Sequence, residues 1–275
     1  MATLVWCGAN GATGRTATLP SDFHTSLVEH QRGQYQGFGP TLAAEKLLER
    51  DGVTVSAETV RRAQIRLKLW RPKTRKLKRV DQLRERRSRF GGSIQIDGSP
   101  HAWFEDRSPR CTLIVFIDDA TTRLTALRFV PVESTRAYLE TLRDQVLDRG
   151  RPLAFYSDRH GIFRVNAKDA QSGDGKTEFG RASNRLGIEP IHALRPQAKG
   201  RVERANQTLQ DRLVKEMRLR NISTMESGNG FLRPFMAFWN ERFGVKPAMK
   251  HRRIVPGQPP RKNWMTLWPG ARSGS

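Results

Sequence analysis

Three acidic residues lie where a sheet-and-helix fold would bring them together. Asp97 ends the run "SIQID", Asp158 ends "LAFYSD", and Glu203 falls early in the helical stretch "KGRVERANQ". Strand ends in an open α/β sheet border a crevice, so acids placed there are expected to converge. Carboxylates without His or Cys ligands suit Mg²⁺ or Mn²⁺ rather than zinc, and two such ions ~3.5–4 Å apart act on phosphodiesters. The alternative for any one acid is a cap or turn residue.

The elements that would position these acids alternate between strand and helix after residue 93. Three β-rich runs come first, and an amphipathic helix, a strand, a short helix, a strand and a long helix from about 199 to 220 follow: "SIQID", "CTLIVFIDDAT", "RLTALRFVPV", "ESTRAYLETLRDQVLDRG", "PLAFYSD", "FGRASNRLG", "IEPIHA" and "KGRVERANQTLQDRLVKEMRLR". This order predicts an α/β fold with a mixed five-stranded sheet covered by helices. We assign the core to residues 93–222 and its C-terminal helix to 223–244.

Residues 38–70 have the pattern of two helices joined by a tight turn. Asp51-Gly52 breaks the first helix and Ser56 caps the second. The apolar positions predicted to pack inward are Leu42, Leu47 and Leu48 in the first helix and Val60, Ala63 and Leu67 in the second. Arg61, Arg62 and Arg66 then point outward, as in a helix-turn-helix whose second helix enters a major groove. A helical hairpin that binds no DNA is the alternative.

Charge identifies the expected partner. The chain carries 49 Lys and Arg against 27 Asp and Glu, a net charge of +22. Such an excess favours double-stranded DNA as partner, with an anionic membrane surface as second choice. Fourteen Lys and Arg lie between Arg61 and Arg89, among them Lys73 and Arg75. We interpret 71–92 as a basic linker that grips the DNA backbone, although a solvated linker has the same composition.

Other signals exclude competing functions. Gly8, Gly11 and Gly14 form a GxxGxxG pattern, but Pro20 falls where a dinucleotide-binding fold needs a helix, so we predict an irregular leader over 1–37. The apolar runs are too short to span a membrane. Two cysteines make neither a disulfide framework nor a zinc site, which fits a cytoplasmic setting. The tail, 245–275, has seven Lys or Arg, five Pro and no acid, and is predicted to be irregular.

Four segments together resemble a known family. "QIDGSPHAWFE", "LIVFIDDATTR", "YSDRHGIFR" and "RPQAKGRVERANQTLQDRL" are similar to the catalytic core of DDE transposases, and most similar to the bacterial insertion-sequence group ISNCY. The resemblance runs from about Phe38 to Phe243. It implies an RNase H-like, retroviral-integrase-type core, with Asp97, Asp158 and Glu203 as the catalytic triad holding two Mg²⁺ or Mn²⁺ ions. The polar segment "RVNAKDAQSGDGKTEF" lengthens the interval between the last two acids, as this subgroup also does.

The resemblance and the charge pattern together suggest further roles. The predicted DNA contacts outside the Arg-rich helix and linker are His160, Lys199, Arg201, Arg204 and Asn206. For His160 a loop position without contacts is an equal alternative. Asp118 and Asp119 are interpreted as structural acids of a turn and left out of the triad.

The resulting hypothesis is a bacterial transposase that cleaves DNA and transfers strands of an insertion sequence, working as a homo-oligomer on element ends and target in the cytoplasm, nucleoid-associated when bound. The alternative is a catalytically inactive DNA-binding remnant or regulator of transposition. A nuclease without sequence specificity would share the core but would not need the helix-turn-helix. Both ends depart from the family pattern, and we interpret them as products of truncation or a frameshift.

Overall fold

The structure, a computed structural model, describes residues 21–72, 85–158, 161–163, 176–192 and 200–249. The chain divides into two compact units. The first is Met1–Arg79 with Arg218–Arg220, and the second is Val80–Met217 with Asn221–Ser275.

The first unit contains three helices: α1 (Ser21–Arg32), α2 (Pro40–Asp51) and α3 (Ala57–Arg66). Gly52 adopts a left-handed conformation, φ 68°, and ends α2, because a residue without a Cβ tolerates that conformation best. The Ser56 side chain accepts a hydrogen bond from the Thr59 backbone N–H and so caps α3. The predicted helix, turn and helix are therefore present.

Two expectations for this unit are corrected. Part of the predicted irregular leader is helical, since α1 occupies Ser21–Arg32 and buries Leu27. The prediction that Pro20 prevents a helix directly after Gly14 concerns residues outside the described ranges and stays a prediction. Leu48 is 53% exposed rather than packed, because it is rotated about 100° from buried Leu47 on the helix.

The second unit is built on a five-stranded sheet. Its strands are β1 (Ile94–His101), β2 (Cys111–Asp118), β3 (Leu124–Val130), β4 (Ala154–Ser157) and β5 (Glu189–His192). Their order is β3-β2-β1-β4-β5; β1–β2 and β2–β3 are antiparallel, and β1–β4 and β4–β5 are parallel. The predicted mixed five-stranded sheet is confirmed, and it fits the RNase H-like core that the resemblance implied.

Helices cover both faces of this sheet. They are α4 (Thr135–Arg149), α5 (Glu178–Arg185), α6 (Gly200–Leu219) and α7 (Met225–Arg242). Strand β2 is buried at every position because alternate side chains enter different cores. Val115 packs with the α6 and α7 side, and Phe116 packs with the α4 and α5 side. The covered sheet explains why "CTLIVFID" is apolar throughout rather than alternating.

The core begins before residue 93. The Gly91 N–H donates to Asp118 Oδ2 at 2.8 Å, and the Leu153 N–H donates to the Gly91 carbonyl at 2.9 Å. The last part of the predicted linker, 71–92, is therefore tied to the sheet, while 73–84 lies outside the described residues. Of the predicted tail, 245–249 is described, and Met249 N–H donates to the Ser88 carbonyl. Within the described ranges, no helix combines the length and apolarity needed to cross a bilayer.

Two glycines of α7 provide a matched test of core packing. A Cβ on Gly228 would lie 2.9 Å from Phe104 Cζ and 3.2 Å from Phe129 Cδ2, whereas a Cβ on Gly230 would meet nothing within 4 Å. We expect Gly228→Ala to lower the free energy of unfolding by about 1–2 kcal/mol, since crowding outweighs the gain in helix propensity. Gly230→Ala should raise it by about 0.5–1 kcal/mol. Urea unfolding of both variants measures this, and equal stabilisation by both would contradict the packing described.

Candidate active site

Asp97 lies level with Asp158, which directly follows the neighbouring parallel strand β4. The expectation that Asp97 ends the first strand is corrected, because β1 keeps its antiparallel pairing with β2 as far as His101. In the β1–β4 ladder, Gln95 stands opposite Tyr156. Continuing that register by two residues brings Asp158, the first residue after β4, level with Asp97. Level residues on adjacent strands project from the same face, with the strands about 4.8 Å apart. Both side chains are half-buried, so the register of these two interior strands pairs the predicted catalytic aspartates where β4 ends, a place termed the open edge of the sheet.

A buried glutamine fixes α6 against this edge. The Gln95 side chain is fully buried; its Nε2 donates to Asp119 Oδ1 at 2.7 Å, and its Oε1 accepts from the Val202 N–H at 3.2 Å. Arg201 NH1 donates to the same Asp119 oxygen at 2.5 Å. The first turn of α6 is thereby bonded to β1 two residues before Asp97. This network also satisfies one backbone N–H that helix geometry leaves without a partner.

One turn later, Asn206 contacts the site directly. Its Nδ2 donates to Asp97 Oδ2 at 2.9 Å, and the side chain is 8% exposed. Its Oδ1 is buried and has no hydrogen-bond partner within the described part of the chain, which is uncommon for a buried amide oxygen. Glu203 lies between Val202 and Asn206 on the helix and is exposed. The helix therefore presents Glu203 from a turn that is anchored to β1 on both sides.

The structure thus relates the three predicted catalytic acids without gathering them into a metal cluster. Asp97 and Asp158 are adjacent by register, and Glu203 is carried by the helix that contacts Asp97. Among the described residues, no three His, Cys, Asp or Glu side chains form a group that could hold a metal ion. The assignment of Asp97, Asp158 and Glu203 as the metal-binding triad stays a prediction.

A further carboxylate, Glu133, lies against β1 next to Asp97. A Cβ on Gly98 would lie 2.6 Å from Glu133 Oε2 and 2.8 Å from Oε1. Tyr138 donates its hydroxyl to Glu133 Oε1 at 2.6 Å. Ser134 is the N-cap of α4, so Glu133 and Tyr138 occupy the N′ and N4 positions, whose side chains meet across the first turn.

Tyr138 fixes the position of the Glu133 carboxylate through this hydrogen bond, because its own ring is tightly packed. Its ring is fully buried and meets Phe163 and Phe179 edge to face. Burial raises the pKa of the Tyr138 hydroxyl well above its usual range, and the negative charges of Glu133, Asp97 and Asp158 raise it further. The hydroxyl therefore stays protonated and donates. The motif analysis missed this pair, although the acid before the N-cap in "PVESTRAY" was a usable signal.

Asp118 and Asp119 are structural acids of the β2–β3 turn in this geometry. Asp118 is buried and accepts from the Gly91 N–H, the Thr121 N–H and the Thr121 hydroxyl. Burial raises its pKa, and these hydrogen bonds oppose that rise. Asp119 is also buried, and it accepts from the Arg87 N–H besides Gln95 and Arg201. The acids therefore brace the turn and the α6 anchor.

The predicted recognition helix presents its arginines as expected, but two of them share a carboxylate. Arg61 and Arg62 both donate to Glu58, at 2.6 and 3.0 Å from Nε. These hydrogen bonds lower the pKa of Glu58 to about 2, with Arg61 the larger cause. Arg66 is exposed at the end of α3. DNA contact by the three arginines stays a prediction.

The residues near Glu203 that were predicted to contact DNA differ in their exposure and hydrogen bonding. The Arg201 guanidinium is 13% exposed and engaged by Asp119, and the Asn206 amide is engaged by Asp97, so both side chains hold the site together in this structure. Arg204 is exposed and bonds to the Gly200 carbonyl. DNA contact by these residues stays a prediction. Four other predicted contacts lie outside the described residues: Lys73, Arg75, His160 and Lys199.

Sequence comparison connects the chain with named proteins. It is 53% identical over 228 residues to the protein named "Putative transposase y4bF" of Sinorhizobium fredii. The aligned residues cover 82% of this chain and 49% of that protein. It is 39% identical over 175 residues to the transposase for insertion sequence IS1202 of Streptococcus pneumoniae, covering 62% of this chain and 37% of that protein. The chain spans half or less of the length of these relatives. No family model matches.

Solved structures give a more distant likeness. A chain of the simian T-cell lymphotropic virus intasome in complex with PP2A regulatory subunit B56 gamma matches 82% of this chain and 72% of its own length, with 16% identity and a TM-score of 0.44. The HTLV-2 integrase catalytic core domain in complex with magnesium, in its dimeric form, matches 61% of this chain and 99% of its own length, with 15% identity and a TM-score of 0.42. These values carry no conclusion about chemistry.

The predicted similarity to transposases is confirmed by the named relatives, and the ISNCY group stays a prediction. The chain is a homologue of transposases.

Proposed function

We propose that this chain is a DDE-type polynucleotidyl transferase that cleaves DNA and transfers the freed strand. The observation that carries the proposal is the pairing of Asp97 and Asp158 at an open sheet edge, in a homologue of transposases, with α6 anchored across that edge. Carboxylates at such a place lower the stability of the sheet unless an opposite charge compensates them. Their presence therefore indicates a role in binding a ligand rather than in folding.

The side chains at this site are of the chemical type that binds a hard divalent cation. Asp97, Asp158 and Glu203 supply carboxylate oxygens, and Asn206 Oδ1 is a buried oxygen without a partner beside Asp97. We therefore assign Mg²⁺ or Mn²⁺, two ions, to these residues. When bound, such ions activate the attacking hydroxyl and stabilise the leaving oxygen of a phosphodiester.

The chain's own contribution is positioning. The Gln95 network holds the first turn of α6, and Asn206 holds the Asp97 carboxylate, so the acids keep their places as DNA charge enters the site. In the first step a water oxygen attacks phosphorus and the DNA 3′-oxygen leaves as a hydroxyl. In the second step that 3′-hydroxyl attacks a target phosphodiester and displaces another 3′-oxygen. Neither step needs a covalent bond to the protein.

DNA recognition is assigned to the helical unit. Helix α3 carries Val60 and Ala63 inward and Arg66 outward, and the Ser56 cap fixes its start. We propose that this helix contacts double-stranded DNA, that a homo-oligomer pairs two element ends, and that the complex works in the bacterial cytoplasm. The second candidate, an inactive DNA-binding remnant, is favoured by the lack of a metal-holding cluster among the described residues.

Nicking of supercoiled plasmid by the purified 275-residue chain separates the two candidates. We expect nicking with Mg²⁺ or Mn²⁺ and none with EDTA. Asp97→Asn, Asp158→Asn and Glu203→Gln should each lower the rate by about 100-fold or more, because each removes a charge that stabilises the transition state by several kcal/mol. Asp148→Asn, at the exposed end of α4, is the matched control and should keep the wild-type rate. DNA binding without nicking would select the inactive remnant.

Salt dependence of DNA binding tests the helical unit. Each phosphate contact contributes about 0.9 to the slope of log affinity against log salt concentration. We expect the triple variant Arg61→Ala, Arg62→Ala, Arg66→Ala to lower that slope by about 1–3 in a fluorescence anisotropy titration. Arg136→Ala, an exposed arginine of α4, should leave the slope unchanged. An unaltered slope in the triple variant would remove α3 from the interface.

A further inference from the structure

We propose that Glu133, held by Tyr138, is a fourth carboxylate of the site and a positioning residue that strengthens divalent-cation binding at Asp97 and Asp158. The proposal rests on the proposed function of those two aspartates. It assigns to the N-terminus of α4 a role that neither the motifs nor the named relatives indicate.

Contact with β1 is the first observation. Glu133 has both carboxylate oxygens within 2.8 Å of the place where a Cβ of residue 98 would stand. Any side chain at 98 would therefore force the carboxylate away, and glycine allows it to rest on the backbone next to Asp97. Gly98 does not need glycine for its backbone conformation, since its φ lies outside the positive region. The close approach of Glu133 is the feature that glycine permits here.

The second observation is how the carboxylate is held. Its hydrogen-bond donor is the Tyr138 hydroxyl, which is neutral, and no Lys or Arg of the described chain forms an ion pair with it. Other acids nearby are compensated, as Asp119 is by Arg201 and Glu140 is by Arg128 and Arg136. Glu133 thus adds a carboxylate without a cationic partner among the described residues to an edge that already carries Asp97 and Asp158. The Tyr138 hydroxyl lies within electrostatic reach of all three carboxylates.

The physical consequence is a site that favours a cation. Glu133, Asp97 and Asp158 all lie within electrostatic reach of Tyr138, so their negative charges repel one another without forming a cluster, and a divalent cation at the two aspartates relieves that repulsion. Gly98 and Asp97 are consecutive, so their side-chain positions lie on opposite faces of β1. Glu133 therefore acts from the α4 side, through its field and through water, rather than as a ligand equal to Asp97. On the α6 side, the buried Asn206 Oδ1, which has no partner among the described residues, independently indicates a ligand beside Asp97.

Mn²⁺ titration followed by electron paramagnetic resonance of the free ion tests the proposal directly. We expect Glu133→Gln to weaken Mn²⁺ binding by about tenfold, the lower end for residues that support metal ligands. Gly98→Ala keeps every carboxylate but displaces Glu133, so it should weaken binding in the same direction. Tyr138→Phe should have a smaller effect, because it frees the carboxylate without removing it. The control Glu140→Gln removes the same charge from α4 and should change binding less than about twofold.

Nicking provides the second readout. Glu133→Gln should raise the Mn²⁺ concentration needed for half-maximal nicking and keep most of the rate at saturating Mn²⁺, whereas a merely structural role would not change this concentration. Wild-type affinity in both Glu133→Gln and Gly98→Ala would overturn the inference, and the proposed function would stand if Asp97→Asn still abolishes binding. Absence of Mn²⁺ binding in the wild-type chain would overturn both. If Glu133→Gln fails to fold, Gly98→Ala alone decides the outcome.

Discussion

The side chain of Gln95 is the constraint on which the candidate site depends. Its amide is fully buried within β1 and joins the turn after β2, through Asp119, to the backbone of α6, through Val202. A buried amide of this kind is stabilising only when both its ends are paired, so sheet, turn and helix must meet in one arrangement. That arrangement decides how far Glu203 stands from Asp97 and Asp158.

The same edge concentrates polar groups that the fold does not need for its own stability. Asp97 and Asp158 are brought level by strand register, Glu133 rests on Gly98, and Asn206 leaves an oxygen unpaired. Other acids are paired with arginines: Asp119 with Arg201, and Glu58 with Arg61 and Arg62. Several acids gathered at one place in a chain of net charge +22 identify the place where a positive ligand is expected. A basic surface and an acidic edge together suit a polyanion that is cut with the help of cations.

The periodicity of the sequence was enough to predict most helices and strands, but it did not predict the side-chain contacts between them. Strand β2 and helix α6 were predictable because their side-chain patterns have periods of two and 3.6. Helix α1 was not predicted because "SDFHTSLVEHQR" carries only three large apolar residues, Phe23, Leu27 and Val28, from which a helical period could be recognised. Gln95 was missed because its partners, Asp119 and Val202, are set by packing rather than by a local pattern, whereas the pair of Glu133 and Tyr138 follows the local spacing of a helix start and was open to prediction. The pairing of Asp97 with Asp158 was within reach because an acid follows each of the runs "SIQI" and "LAFYS", although β1 continues past Asp97 to His101 and only Asp158 stands at a strand end.

A crystal structure of the chain grown with Mn²⁺, with anomalous scattering used to locate the ions, tests the central claim most directly. The account predicts an anomalous peak between Asp97 and Asp158, about 2.1 Å from a carboxylate oxygen of each. It also predicts Glu133 on Gly98 beside the peak and not in direct contact with the ion. Ordered Asp97 and Asp158 side chains with Mn²⁺ bound only elsewhere would contradict the assignment of this edge as the active site.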